Sequence, residues 1–365
     1  MNYKIVQTEL YKKRVLKFSR KNPHMMTKYI KSMDMLEINP FHPSLRLHKL
    51  HGQLNDYHSV SIDLSYRMVI EFIIKENEII PIDIGTHDEV YSGNIEVRIA
   101  FIGDIVGSHG RDMLKVYLKK IRQEHGIDFV VANYENASHG FGLTVKNANE
   151  IVGYGVDCMS GGNHTWDKKD VEALFDTHEI LRPHNYPDGV KGTGCKVYEV
   201  AGEKLAVLNL MGHYSMPYTD NAFRAAKSTV EALHADGVKN IFIDFHAEAT
   251  SEKRAMMMLL QGSVSAIIGT HTHVSTDDFQ IADGTAYLTD IGLTGCRDNV
   301  IGMDNATPLR QFLTGIKGHF DIPKKCKKIL QIAIMDFNDG KCESAFKLKI
   351  FDEGVVIKTD AWIEN

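Results

Sequence analysis

The arrangement of apolar and polar positions divides the chain into two parts. Up to residue 92, two runs with helical periodicity are followed by runs that alternate like strands. From residue 95 onward, short apolar runs alternate regularly with amphipathic ones. The first pattern predicts a small α+β domain over residues 1–92, and the second predicts a layered α/β domain over residues 96–365.

The first part is predicted to contain two helices and a four-stranded antiparallel sheet. The helices cover residues 5–20 and 22–36, and they separate at Asn22-Pro23 because proline cannot continue a helix. The strands lie at 45–51, 57–64, 66–74 and 78–84. In the second part, helices are predicted at 109–124, 145–154, 168–177, 220–235 and 252–261, each preceded by a strand, and the tail from residue 330 alternates like further strands.

Composition narrows the class of protein. The chain is 43% hydrophobic and 24% charged, as is ordinary for a globular protein. No apolar run approaches the length of a membrane span, and the N-terminus lacks the apolar core of a signal peptide. The five cysteines are scattered and free of Cys-x-x-Cys spacing. We therefore expect a cytoplasmic protein without membrane contact, whose cysteines are reduced thiols rather than disulfides or a zinc clip.

The net charge of −5 hides a basic stretch near the N-terminus. Eight lysines and arginines lie between Lys12 and Lys31 with no acidic residue among them. Such a block can face phosphates, and a solvated helix face explains it equally well.

Five apolar runs end in side chains that can bind a metal ion. The candidate ligands are Asp104, Glu135, Asn136, Asn163, His246, His271 and His273. Because parallel sheets collect ligands at the carboxyl ends of their strands, we expect these side chains to converge on one crevice. Singly, Asp104 can cap a helix and His246 can be a core histidine. The ordered set is far more specific than any member.

The set contains two carboxylates, two amides and three imidazoles, more than one tetrahedral zinc ion needs. It suits two ions bridged by a carboxylate, as in hydrolases whose paired ions lie about 3.5–4 Å apart. An extended segment would send His271 and His273 to the same side. His164 follows Asn163 and is predicted to donate a proton to the leaving group, with a ligand or supporting role as the alternative.

The motifs that carry these residues resemble those of the calcineurin-like metallophosphoesterases, specifically their YmdB-like branch, through most of residues 97–330. The matching stretches are Gly103-Asp104-Ile105-Val106-Gly107, Tyr134-Glu135-Asn136-Ala137, Gly162-Asn163-His164-Thr165-Trp166-Asp167, Arg182-Pro183-His184-Asn185-Tyr186-Pro187, Asp244-Phe245-His246-Ala247-Glu248 and Gly269-Thr270-His271-Thr272-His273. Val106 stands where most calcineurin-like enzymes have a histidine, as it does in this branch, and Asn136 fills the gap.

This resemblance implies an α/β/β/α sandwich and a 2′,3′-cyclic-nucleotide 2′-phosphodiesterase with two iron or manganese ions. It assigns Asp104, Asn136 and His273 to one ion. It assigns Asn163, His246 and His271 to the other. Glu135 bridges the two ions, and His164 protonates the leaving ribose oxygen. The implied substrates are 2′,3′-cyclic nucleotides and related RNA-derived phosphodiesters.

The first 92 residues resemble the RelE/ParE toxin superfamily, and within it the YafQ-like mRNA endonucleases. The resemblance rests on Leu47-His48-Lys49-Leu50-His51-Gly52, Tyr66-Arg67-Met68-Val69-Ile70 and Asp83-Ile84-Gly85-Thr86-His87. It implies RNA cleavage in which Arg67 holds phosphate and His87 is the acid or base. Lys49 and His51 are the assisting candidates. The implied partners are RNA, the ribosome or an antitoxin.

Two other functions stay open at this point. The chain is a regulatory protein if the N-terminal module binds RNA without cutting it. It is a protein phosphatase if the metal centre takes phosphoproteins, because calcineurin-like sites vary in substrate. Assembly into a homo-oligomer is also left open.

Overall fold

The structure is a computed structural model that describes residues 3–50, 57–73, 77–86 and 97–364, the side chains of residues 9, 10, 13, 17 and 71–73 excepted. The chain forms two compact units, Met1–Asn94 and Ile95–Asn365.

The N-terminal unit has two helices, Glu9–Lys21 and Met26–Ile38, joined by a 3-10 turn at Pro23–Met25. Its strands are β1 (Lys4–Ile5), β2 (His48–Lys49), β3 (His58–Ser61), β4 (Tyr66–Ile73) and β5 (Glu78–Thr86), in the sheet order β1-β5-β4-β3-β2. The unpredicted β1 pairs with β5 in parallel, so the expectation of a purely antiparallel sheet was wrong. The predicted strand at 45–51 is short because Pro43–Leu45 forms a 3-10 turn.

The core of this unit lies between the helices and one face of the sheet. Tyr11 and Phe18 of the first helix and Leu36 of the second pack with Met68 and Ile79. Tyr11 and Phe18 are seven positions apart and therefore lie on one face of the first helix. Leu16 and Ile30, which the apolar pattern predicts to be buried, are each 54% exposed. The Tyr11 hydroxyl also donates to the Met68 sulfur at 3.0 Å.

In the C-terminal unit, the first sheet contains β6 (Val97–Ile102), β7 (Phe129–Asn133), β8 (Cys158–Ser160), β16 (Lys328–Asn338), β17 (Lys341–Phe351) and β18 (Val356–Asp360), with β15 (Gly295–Cys296) paired to β16. Its order is β18-β17-β16-β6-β7-β8. Strands β6, β7 and β8 are parallel, whereas β16 runs antiparallel to β6. The helices Gly107–His125, Val145–Gly153 and Val171–Thr177 belong to this half.

The second sheet contains β9 (Cys195–Val200), β10 (Glu203–Met211), β11 (Asn240–His246), β12 (Ala266–Thr270), β13 (Gln280–Ala282), β14 (Thr285–Leu288) and β19 (Trp362–Glu364). Its order is β19-β13-β14-β12-β11-β10-β9, and β10, β11, β12 and β14 are parallel. The helices Ala222–Ala235 and Thr250–Leu260 follow β10 and β11.

Three apolar clusters show how these parts are layered. One joins the first sheet to its helices, with Ile102 packed near Leu118. A second lies between the sheets and includes Phe101 of β6 and Phe242 of β11, whose ring centroids are 4.9 Å apart. A third joins the second sheet to its helices. The order is therefore helices, sheet, sheet, helices, which confirms the α/β/β/α sandwich.

Two features of this unit differ from the expectations. Cys296 and Cys326 are joined by a disulfide, so the prediction that all the cysteines are reduced thiols was wrong. Pairing of β15 with β16 brings the two residues together across 30 positions, a contact that sequence spacing does not reveal. The helix Ala306–Thr314 was also missed. Within the part of the chain that the structure describes, no helix has the length and apolar character needed to cross a membrane.

Candidate metal centre

Four of the predicted ligands follow the parallel strands of the first sheet. Asp104 comes two residues after β6 ends, Glu135 and Asn136 follow β7, and Asn163 follows β8. All but Asn163 are almost completely buried. Parallel register places the ends of these strands at one edge of the sheet, which is why residues from separate segments become neighbours.

The second sheet contributes the three histidines to the same place. His246 is the last residue of β11, and its Nε2 lies 3.1 Å from Glu135 Oε2 and 2.9 Å from Asn163 Oδ1. It also lies 3.1 Å from His271 Nδ1. One imidazole nitrogen carries at most one proton, so it cannot satisfy three such neighbours through hydrogen bonds. Ligand atoms crowded in this way fit around a cation.

The backbone of the His271–His273 segment differs from the expectation. Strand β12 ends at Thr270, and both histidines have positive φ, 96° for His271 and 63° for His273. The segment is thus a left-handed turn, and the extended geometry expected for it was wrong. Such backbone persists only where its surroundings hold it in place.

A buried ion pair holds this turn. Lys253 Nζ donates to Asp290 Oδ2 at 2.7 Å and to the Thr270 carbonyl at 2.8 Å, and both charged side chains are 1% exposed. Asp290 Oδ2 also accepts from the Thr272 amide at 3.1 Å. The pair therefore contacts the residues on both sides of His271.

The carboxylate and imidazole ligands form two groups that share Glu135. One group is Glu135, His246 and His271, and the other is Asp104, Glu135 and His273. Within each group, the potential ligand atoms lie within 4.8 Å of one another. Asn136 Oδ1 lies 3.1 Å from His273 Nε2, and Asn163 lies beside His246. The structure thus brings together all seven predicted ligands, and their division between two ions stays a prediction.

Two observations test whether this pocket suits metal ions. Asp104 Oδ1 is buried and has no hydrogen-bond partner among the described residues. A Cβ added at Gly162 would lie 2.2 Å from Glu135 Oε2 and 2.4 Å from His246 Nε2, so only glycine leaves this space open. A buried carboxylate oxygen without a partner is costly unless a cation compensates for it. The residues present fit a metal centre.

Supporting groups orient the ligands. His273 Nδ1 donates to the Ile301 carbonyl at 2.8 Å, which leaves Nε2 free to bind an ion. Asn136 Nδ2 donates to the Gly140 carbonyl at 2.9 Å, which turns its Oδ1 toward His273. His271 Nε2 lies 2.9 Å from Glu248 Oε2, which leaves Nδ1 for the centre. Partners of this kind fix the orientation of metal-binding residues.

Sequence reasoning did not assign roles to several of these supporting residues. Asp244 is buried beneath the centre and accepts from Thr270 Oγ1 at 2.7 Å, while that hydroxyl lies 3.0 Å from His246 Nδ1. Asp244 and Glu248 flank His246 by two residues on either side. An acidic residue two positions from a predicted ligand was the feature of the sequence that could have indicated this supporting role.

Burial and neighbouring charges shift the protonation of the ligands. Burial raises the pKa of Asp104 to about 7, against the opposing effect of His273 and His246. Burial acts in the same direction on Glu135, but the adjacent His246 outweighs it and lowers the pKa of Glu135 to about 2. Burial, together with the charge of the adjacent His246, lowers the pKa of His271 to about 3. His271 is therefore neutral at pH 7 and has a lone pair available for a metal.

His164 lies at the edge of the centre. Its backbone amide donates to Glu135 Oε2 at 3.2 Å, and its Nδ1 donates to Asp167 Oδ2 at 2.8 Å. The ring meets Phe141 edge to face, with centroids 5.0 Å apart. Asp167 thus fixes the ring and leaves Nε2 as the nitrogen that can exchange a proton.

Comparison with known proteins places this site in a family. The profile of the YmdB-like protein family matches residues 100–348, which is more than half of the chain. The chain belongs to this family. The 2′,3′-cyclic-nucleotide 2′-phosphodiesterase of Bacillus subtilis (strain 168) is 43% identical over 245 residues, covering 67% of this chain and 92% of that protein.

A solved structure of this kind agrees in fold. The crystal structure of a novel phosphatase from Mycoplasma pneumoniae has 32% identity and a TM-score of 0.67, covering 71% of this chain and 94% of that one. Membership of the YmdB-like family confirms the predicted enzyme class, a phosphoester hydrolase, and the family implies divalent metal ions.

The RNase candidates of the N-terminal unit are arranged differently. Arg67 Nη1 donates to the carbonyls of Asp63 at 2.6 Å and Tyr66 at 3.2 Å. Lys49 is exposed on β2, two strands away in the sheet. His51 and His87 lie outside the described residues. Of the basic stretch, Arg14 pairs with Asp83 and Lys28 with Asp63.

Structural neighbours of the predicted kind exist for this unit. The crystal structure of YafQ from E. coli strain BL21(DE3) covers 24% of this chain and 98% of that one, at 19% identity and a TM-score of 0.22.

Proposed function

We propose that the C-terminal unit hydrolyses 2′,3′-cyclic nucleotides at a two-metal centre. The observation that carries this proposal is the sharing of Glu135 between two groups of ligands, because one carboxylate between two clusters suits a pair of bridged ions. The substrate class follows the name of the B. subtilis relative, which is 43% identical.

Seven side chains would hold the ions, namely Asp104, Glu135, Asn136, Asn163, His246, His271 and His273. Mixed nitrogen and oxygen ligands without sulfur suit iron or manganese, which are the ions we propose. When bound, such ions neutralise the charge of a phosphate and activate water.

The proton on the leaving oxygen would come from His164. Asp167 accepts from Nδ1 and stabilises the imidazolium, so that Nε2–H can donate to a ribose oxygen as it departs. The hydrogen bond from the His164 backbone amide to Glu135 Oε2 keeps His164 beside the ligand groups. Asp167 therefore acts as a positioning residue.

The direct test is turnover of 2′,3′-cyclic AMP by protein purified without oxygen and supplied with Mn²⁺ or Fe²⁺. We expect hydrolysis that stops on chelation and returns with metal, and metal analysis should give two ions per chain. Parallel assays with a phosphopeptide distinguish this activity from the alternative of a protein phosphatase, which would release phosphate from the peptide. Absence of turnover in protein that contains both ions would refute the proposal.

Variants of the proton donor test its role. His164→Ala should lower kcat by about 10²–10⁴-fold, the usual contribution of a general acid, while the metal content stays unchanged. Asp167→Asn should reduce kcat less and shift the pH dependence of kcat, because the imidazolium loses its partner. A loss of metal in His164→Ala would instead indicate that His164 is a ligand.

For the N-terminal unit we propose an RNA- or ribosome-directed role, supported by the RelE/YafQ-like motifs and the exposed Lys49. The full chain should bind RNA, and Lys49→Ala with His51→Ala should weaken that binding. Cleavage that His87→Ala abolishes would establish an endonuclease. Binding without cleavage would establish the regulatory alternative, and absence of both would reject the proposal.

A further inference from the structure

A second group of potential metal ligands lies outside the centre described above. It consists of His109, Cys296 and Cys326, whose ligand atoms all lie within 4.8 Å of one another. His109 is in the first turn of the helix Gly107–His125, Cys296 ends β15, and Cys326 shortly precedes β16. The group contains two sulfurs, whereas the centre around Glu135 contains none.

The spacing of the two cysteines is compatible with more than a disulfide. Their Cα atoms are 5.6 Å apart. With Zn–S bonds of about 2.3 Å, tetrahedral coordination needs the two sulfurs roughly 3.8 Å apart. Rotation of the two side chains can supply that separation once the bond between the sulfurs is reduced.

His109 is held in the form that a metal ligand needs. Its Nε2 donates to the Pro323 carbonyl at 2.7 Å, which fixes the tautomer and leaves the lone pair on Nδ1. Nδ1 is buried and has no hydrogen-bond partner among the described residues. A histidine whose second nitrogen donates to a carbonyl is the usual arrangement at protein-bound zinc.

We propose that the reduced chain binds one Zn²⁺ ion through Cys296, Cys326 and His109, with water in the fourth position. A dithiol reductant opens the disulfide: two electrons and two protons pass from the dithiol to the two cysteine sulfurs, which become thiols, and the reductant becomes a cyclic disulfide. Zinc binding then releases the two thiol protons, because the thiolate is the ligand.

This site would connect the two ends of a long segment that lies beside the metal centre. Residues 297–325 lie between the two cysteines and include Ile301, whose carbonyl accepts from His273 Nδ1. Cys296 also comes two residues after Thr294, whose amide donates to the Asp104 carbonyl at 2.8 Å. Zinc would therefore replace the disulfide as the connection between the two ends of this segment in reducing surroundings.

Cobalt distinguishes this site from the other centre, because sulfur-to-cobalt charge-transfer absorption requires thiolate ligands. When the other centre is already filled with Mn²⁺, titration of the reduced full chain with Co²⁺ should produce that band with one equivalent, and Zn²⁺ should remove it. Cys296→Ser and Cys326→Ser should each abolish or strongly reduce the band. The control Cys195→Ser, at a free cysteine outside the group, should keep it.

His109→Ala should lower the Co²⁺ affinity of this site, measured from the charge-transfer band, by at least about 10-fold. Even groups that only support a ligand contribute about 10–100-fold to metal affinity. Melting curves of the metal-free proteins check that each variant folds. Zn²⁺ should also protect the partly exposed Cys326 from alkylation, whereas Cys326 of the metal-free reduced chain should react. A charge-transfer band that is absent from the reduced protein, or a disulfide that resists reduction in the folded protein, would overturn the proposal.

Discussion

The metal centre and the candidate RNA-binding residues of the N-terminal unit differ in how their polar groups are satisfied. At the centre, Asp104 Oδ1 has no hydrogen-bond partner among the described residues, and three ligand atoms surround His246 Nε2. In the N-terminal unit, Arg67 and Arg14 donate to backbone carbonyls, and Arg14 also pairs with Asp83.

The difference shows which polar groups need an external ligand. Buried groups that cannot satisfy one another need a cation, because leaving a polar atom unpaired is costly. Cationic groups that are already bound to their own chain have less to offer a phosphate. Substitutions in the two regions should separate these two situations.

Glu135→Ala should have the largest effect, because this carboxylate belongs to both ligand groups. Loss of one stabilising group typically costs about 10²–10³-fold in rate, and we expect turnover to fall by at least that much. Metal analysis should show less than two ions per chain. Asp176→Ala, at an exposed pair with Lys191, serves as the control. Full metal content in Glu135→Ala would contradict the shared-ligand geometry.

Lys253→Met breaks the buried pair that holds the His271–His273 turn. Removal of one partner leaves Asp290 buried and uncompensated, so the free energy of unfolding should fall by about 3–5 kcal/mol. Lys191→Met at the surface should change it by no more than about 1 kcal/mol. Denaturant unfolding measures both. Equal effects of the two substitutions would show that the buried pair does not stabilise the turn.

Arg67→Ala should act on stability and leave turnover of 2′,3′-cyclic AMP unchanged, because the Arg67 guanidinium donates to backbone carbonyls of its own unit. We expect the free energy of unfolding to fall by about 1–2 kcal/mol, because the hydrogen bonds of the charged guanidinium are lost. Lys49→Ala, at an exposed residue, should lower the free energy of unfolding by less than Arg67→Ala does. If Arg67→Ala abolishes RNA binding at unchanged stability, the guanidinium serves a ligand after all.

Lys347 should give an effect that is visible as a dependence of stability on pH. Burial lowers its pKa to about 7, and the charge of Lys349 adds to this. The unfolded pKa is about 10.4, so between these values the unfolded chain binds more protons and stability rises with pH. Lys347→Met lacks this titration. Its stability relative to the parent should therefore be highest near pH 7 and decline toward pH 10 in urea unfolding, whereas Lys191→Met should show no such trend.

Much of the fold was predictable because its elements have clear periodicity. The helices of the C-terminal unit lie within a few residues of their predicted positions, since each has a continuous apolar stripe. The short β1 and β15 were missed, because two residues show no period. The helix Ala306–Thr314 was missed because Phe312 and Leu313 on it are exposed, so its apolar residues do not mark a buried face.

The candidate ligands were visible in the sequence because each follows a strand. Their supporting groups were not, because a contact such as His273 with the Ile301 carbonyl depends on a loop whose path the sequence does not specify. The same holds for Cys296 and Cys326, which meet only through strand pairing. Local periodicity predicts the helices and strands, whereas tertiary contacts determine which residues support the ligands.

The position of β16 bears on how the enzyme is made. This strand lies between β17 and β6 in the finished sheet, although it is synthesised long after the last proposed ligand, His273. On the ribosome, the ligand-bearing strands thus emerge before the neighbour that completes their sheet. A chain that stops before residue 328 lacks the strand that pairs with β6, so we expect it to bind the ions less tightly.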